Sequence, residues 1–123
     1  MPDRPLSVAD DFLARLAGDL RSFAAARDWD RFHSPKNLAM ALIVEAAELV
    51  EQFQWLEPAE SHDLDPARRQ AVADEVADVL IYLVRLADRL EIDIPAAVDD
   101  KMRRNALRYP PLTVPASPRG LAT

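Results

Sequence analysis

At 123 residues, half of them hydrophobic and 29% charged, the chain is long enough for one domain with its own core. Its formal net charge is -6, and an acidic surface repels a phosphate backbone, which argues against duplex nucleic acid as a partner. Disulfides and Cys-ligated zinc are excluded because there is no cysteine, the opening MPDRPLSVADDF lacks the apolar core of a signal peptide, and no 18-residue apolar run could span a membrane.

Only two glycines occur in the chain. Few chain reversals and abundant Ala and Leu predict an all-α fold of the four-helix-bundle type. The first helix is expected from roughly Ser7 to Asp28, with Ser7 as N-cap and Asp10 three residues on. Its apolar residues Phe12, Leu13, Leu16, Leu20 and Phe23 recur at three- and four-residue steps. After the connector WDRFHSPKN, Ser34-Pro35 supplies a cap and a first-turn proline, and a second helix is expected to run to about Leu56. Asp65-Pro66 opens a third helix, to about Glu91, and Asp93-Ile94-Pro95 a fourth, ending near Arg108. Residues 1–110 thus read as one domain, and 111–123 as a Pro-rich C-terminal tail that is extended or mobile.

Helices two and three are apolar almost all the way round. Leu42, Ile43, Val44, Leu49, Val50 and Phe53 leave the second no broad polar face, and Val76, Val79, Leu80, Ile81, Leu83, Val84 and Leu86 do the same in the third. Such helices belong inside a bundle. One short chain offers them few neighbours, so a homo-oligomer, dimer or tetramer, is expected, with both central helices at a subunit interface.

Acids interrupt these apolar helices in a repeated pattern. VEAAELVE carries Glu45, Glu48 and Glu51, and DEVADVL carries Glu75 and Asp78, with Tyr82 four residues beyond. Residues three or four apart share a helix face, so an antiparallel packing lets two acidic pairs face one another. Carboxylates crowded away from water cannot all stay ionised alone. A hard divalent cation such as Mg²⁺ resolves the conflict, taking oxygen ligands and reaching substrate phosphates. Read one at a time, the same acids could simply punctuate a solvated stripe. A di-iron carboxylate bundle would need Glu-x-x-His pairs, and His33 and His62 both lie in connectors, neither three residues after a Glu.

Aromatic and basic residues flank the acids. Trp29, Phe32, His33 and Trp55 lie at helix ends or in connectors, and form either a packed aromatic edge or a slot where a nucleobase stacks. Lys36 and Asn37 occupy the first turn of helix two, where backbone N–H groups favour an anion. Helix four carries Lys101, Arg103, Arg104, Asn105 and Arg108, followed by Tyr109. This cluster either compensates the helix dipole or clamps phosphate, with Lys101, Asn105 and Arg108 on one face.

Taken together, FHSPKNLAMALIVEAAELVEQFQW, DEVADVLIYL and KMRRNALRYP resemble the all-α nucleoside triphosphate pyrophosphohydrolases of the MazG-like superfamily, and within it the dCTP pyrophosphatase branch. The likeness covers roughly residues 6 to 110. It implies Mg²⁺ ligation by Glu45, Glu48, Glu75 and Asp78, with Glu51 an accessory acid near the attacking water. It implies a base and sugar pocket at Trp29, His33, Trp55 and Tyr82. Lys36, Asn37, Lys101, Asn105, Arg108 and Tyr109 would lie around the phosphates and the closing pocket, which in such proteins is commonly shared between subunits. The implied reaction converts a nucleoside triphosphate, dCTP or a modified cytosine deoxynucleotide, to its monophosphate and pyrophosphate, as cytoplasmic house-cleaning of the nucleotide pool. Two departures stand out: Val44 precedes Glu45 where MazG proteins themselves begin the motif with a double Glu, and Ala47 stands where many dCTP pyrophosphatases carry Gly. The non-enzymatic alternatives are a nucleotide-binding module and a structural helical-bundle interaction protein.

Overall fold

A computed structural model describes residues 8–112. Among them are four α-helices, α1 (Val8–Ala26), α2 (Pro35–Glu51), α3 (Pro66–Arg89) and α4 (Ile94–Arg108), and two short 3₁₀ turns, Asp30–Phe32 and Glu60–His62. The described residues contain no strand, so the all-α expectation holds. The expected Ser7 cap and the tail from residue 113 lie outside the described residues.

The starts of α2, α3 and α4 are local chemistry. Ser34 Oγ accepts from the Asn37 amide at 3.1 Å, Asp65 Oδ1 from Arg68 at 2.8 Å, and Asp93 Oδ1 from Ala96 at 3.0 Å. Each satisfies an N–H the first turn would leave unpaired, and a proline within the next two residues has no N–H to satisfy.

The ends of α1 and α3 share another device. Trp29 donates back to the Ala24 carbonyl at 2.9 Å and Ile92 to Ala87 at 2.8 Å, each five residues upstream. This closure needs a left-handed residue just past the helix. With no glycine there, Asp28 (φ 55°) and Glu91 (φ 54°) adopt it.

α2 ends at Glu51, short of the expected Leu56. The chain then tightens into turns in which Gln52 donates to Leu49 and Leu56 to Phe53, both three residues back. The Arg68 guanidinium from α3 takes the Gln52 carbonyl, so that oxygen is held by α3 at the helix end.

α3 is the central element, packed most extensively against α2 and also against α1, while α4 has no comparably extensive helix contact. Cross-links fix α2 and α3 as antiparallel. Arg68 meets Gln52 at one end, and Arg85 and Arg89 meet His33, just ahead of α2, at the other. Arg21 of α1 grips Asp88 of α3 with two bonds, Nε–Oδ2 at 3.1 Å and Nη2–Oδ1 at 2.6 Å.

The buried apolar residues among those described are few: Ala24, Leu38, Val84 and Ala87. A single chain does not cover the central helices, as their composition had suggested it could not. Ile43, Val44 and Val50 on α2, Val76 and Leu83 on α3, and Met102 and Leu107 on α4 remain exposed, Leu107 at 85%. A helix hairpin braced on one side by α1 has no second layer for its other side. No described helix is long and apolar enough to cross a membrane.

Candidate active site

The antiparallel hairpin brings together three of the four acids whose spacing predicted two facing pairs. Glu45 and Glu48 lie one turn apart on α2, and α3 brings Glu75 against them. One carboxylate oxygen from each of the three lies within 4.8 Å of the others. Glu45 Oε2 and Glu75 Oε2 are buried without a hydrogen-bond partner. Burial raises the Glu45 pKa to about 7, and the nearness of Glu75, Glu48 and Asp78 adds to the effect. Glu75 is also raised, again by burial first and with Glu48 and Asp78 contributing, while its contact with Glu45 works the other way. Crowding and burial thus favour a proton shared within the Glu45 and Glu75 pair.

Among the described residues, no Lys or Arg forms an ion pair with Glu45, Glu48, Glu75 or Asp78. Crowded, part-dehydrated carboxylates with no internal counter-charge fit an external hard cation, and two orphaned buried oxygens are where such an ion would bind. Asp78, half-buried, is within electrostatic reach of Glu45 and Glu75. Glu51 is exposed at the end of α2 and outside the cluster of three.

A mainly apolar cavity of about 250 Å³ is lined by Leu20, Phe23, Trp29, His33, Ile81 and Tyr82 among others. Tyr82 follows Asp78 by four residues on α3, one turn or ~6 Å along the helix axis. The closure of α1 sets Trp29, whose ring meets Phe23 edge-on at 5.5 Å. His33 stands 5.9 Å from the Trp29 ring, between centroids. Its backbone is held by its own N–H to Asp30 (3.2 Å) and by Arg89, which donates to its carbonyl at 3.1 Å.

The other residues singled out from the sequence fall elsewhere. Lys36 is exposed. The Asn37 side chain donates to the Phe32 carbonyl at 3.0 Å and so braces the connector. Trp55, 87% exposed, does not line the cavity. Lys101, Arg108 and Tyr109 are exposed and Asn105 half-buried. Arg108 lies over the Tyr109 ring at 5.4 Å. Neither hydrogen bond nor ion pair joins these four to the acidic cluster among the described residues. The sequence reading missed Leu20 and Phe23 as cavity walls, having taken them only as a helix stripe. It also missed Arg85, whose signal was visible: a lone cation inside VLIYLVRLA.

Fold and site together define a class: an all-α protein whose helix hairpin gathers carboxylates able to hold a cation and carries an aromatic cavity. Comparison with known proteins agrees. Residues 40–112 match the MazG-like family, and the chain belongs to that family. Over 90 residues it is 51% identical to dCTP pyrophosphatase 1 of Rattus norvegicus and 50% identical to that of Homo sapiens, in each case across 72% of this chain and 53% of the relative. It thus spans about half the length of the curated relatives it matches. A crystal structure of a pyrophosphatase from Archaeoglobus fulgidus superposes with a TM-score of 0.75 at 38% identity, covering 90% of this chain and all of that one.

Proposed function

We propose that this chain hydrolyses nucleoside triphosphates, dCTP or a modified cytosine deoxynucleotide foremost, to the monophosphate and pyrophosphate. The observation that carries the reading is the pair of buried, unpartnered oxygens on Glu45 and Glu75 within a three-glutamate cluster, one of whose helices also lends Tyr82 to an aromatic cavity. The similarity to proteins named dCTP pyrophosphatase supports the substrate.

Glu45, Glu48, Glu75 and Asp78 would hold Mg²⁺. When bound, the ion supplies Lewis-acid polarisation of phosphate oxygens and positive charge against the triphosphate. Four crowded carboxylates repel one another unless a cation or a proton intervenes. Glu51, one turn beyond Glu48, would be the accessory acid that orients the water attacking the α-phosphorus. The cavity takes the base. At about 250 Å³ it falls below the ~300–1,000 Å³ of sites that enclose drug-sized ligands, so one ring enters while sugar and phosphates stay outside. Trp29 and Tyr82 supply the stacking faces and His33 a polar edge.

A second copy of the chain would cover the exposed faces of α2 and α4. It would also bring Lys101 and Arg108, with Asn105 and Tyr109, to the phosphates, because none of the four bonds or pairs with the acids of its own chain among the described residues. Lys36, Asn37 and Trp55 would then complete the entrance.

The test is product analysis on a panel of deoxynucleoside triphosphates, with Mg²⁺ present or chelated. The expected result is dCMP and pyrophosphate, with turnover abolished by chelation. Nucleotide binding without turnover would favour a binding module, and neither binding nor turnover a structural bundle. Release of single phosphates would overturn the proposed bond cleavage.

A further inference from the structure

Arg85 is the one buried charged residue among those described, with 4% of its side chain exposed, and nothing in the proposed chemistry uses it. Its guanidinium is committed on three sides. Nη2 meets Asp30 Oδ1 at 2.7 Å, Nη1 lies 3.5 Å from Asp88 Oδ2, and Nε donates to His33 Nδ1 at 3.2 Å. Asp88 is itself gripped by Arg21. Arg85 is therefore held from both ends, and its Nε–H has a fixed direction.

An arginine has no acceptor, so the ring nitrogen it meets must be unprotonated. A neutral imidazole with a bare Nδ1 carries its proton on Nε2. No group among the described residues hydrogen-bonds to His33 Nε2, and the ring lines the aromatic cavity. Burial, with Arg85 and Arg89 nearby, lowers the His33 pKa against the opposing pull of Asp30, so the ring stays neutral when Arg85 is in place.

We propose that Arg85 is a positioning residue that locks His33 in one tautomer, making its Nε2–H a fixed donor to an acceptor on the edge of the bound base. This rests on the nucleotide reading of the cavity. A fixed donor favours the bare N3 and O2 edge of cytosine and disfavours a base that presents an N–H there. A site built to pair with a substrate group discriminates strongly because a mismatch leaves a buried polar group unpaired.

Two measurements on the intact protein test it. The first uses no nucleotide: long-range ¹⁵N–¹H spectra of the histidine side chains, with His62→Gln assigning the two rings. His33 is expected with its proton on Nε2 and Nδ1 bare, and Arg85→Met is expected to give mixed tautomers and an ordinary titration. Arg85→Lys, which retains a donor, restores part of the lock. A proton on Nδ1 in the unsubstituted protein overturns the lock, as does an unchanged spectrum in Arg85→Met. Should Arg85→Met fail to fold, the unsubstituted protein and Arg85→Lys still decide.

The second measurement is dCTP kinetics. Arg85→Met and His33→Gln should each raise KM about tenfold, the loss of one hydrogen bond, with kcat changed less than about twofold. The double variant should be no worse than His33→Gln alone. Additive losses, or a fall in kcat at constant KM, overturn the positioning role. If the expected spectrum accompanies no turnover of any triphosphate, the hydrolase reading and the donor's role fail while the lock stands. An unexpected spectrum with normal dCTP turnover overturns the lock and the donor's role while the hydrolase reading stands.

Discussion

Glu45 shows how one residue couples folding to the proposed chemistry. Its carboxyl is raised to about 7 by burial and by the acids around it. Between the ordinary carboxylate pKa and about 7, the folded chain binds a proton that the unfolded chain releases. Its contribution to stability is therefore complete below the unfolded value and is lost as pH rises through 7. His33 works oppositely, since its lowered pKa makes protonation destabilising as pH falls. Thermal melts in chelator should accordingly show a Glu45→Gln protein gaining on the unsubstituted one as pH climbs from 5 to about 7.5, with Mg²⁺ narrowing the gap. A pH-independent difference would sink this account. Changing Glu45, Glu48, Glu75 or Asp78 to Ala should abolish most turnover while the far-ultraviolet circular dichroism stays helical. Near-normal rates in any two of the four variants would refute the ligand assignment.

At the scale of elements, stability sits in the caps and closures. Ser34→Ala removes the acceptor for the Asn37 amide and should lower unfolding free energy by about 1 kcal/mol. Glu91→Gly removes the steric conflict of a left-handed side chain. It should raise stability by ~0.5–1 kcal/mol, less than the full left-handed penalty because glycine is more flexible when unfolded. Chemical denaturation of both proteins reads the two signs, and a destabilised Glu91→Gly would contradict the closure proposed for α3. These devices also aim the site. The turn after α1 sets Trp29, and the cap of α2 fixes the connector that carries His33.

For the molecule as a whole, the unpartnered apolar surface decides. Val50 (59%), Met102 (63%) and Leu107 (85%) are exposed, and the proposed second subunit would cover them, since large apolar faces mark association sites. Sedimentation at micromolar concentration should return a homo-oligomer, and Leu107→Asp combined with Val50→Asp should shift it toward monomer. A well-folded monomer of the unsubstituted chain would remove the second subunit from the proposed site. Because Lys101, Asn105, Arg108 and Tyr109 neither bond nor pair with the acidic cluster of their own chain among the described residues, the oligomer and the activity should be lost together.

Helix number, helix starts and the acidic pairs could be read from the sequence because each rests on residues close in the chain: Ser34-Pro35, Asp65-Pro66, Asp93-Ile94-Pro95, and acids three apart on one face. The end of α2 and the gathering of Glu75 with Glu45 and Glu48 needed the tertiary structure. So did the Arg85 network joining Asp30, His33 and Asp88. Those depend on the register of two antiparallel helices. Local propensity and spacing do not encode that register, which the packing of α3 between its neighbours decides.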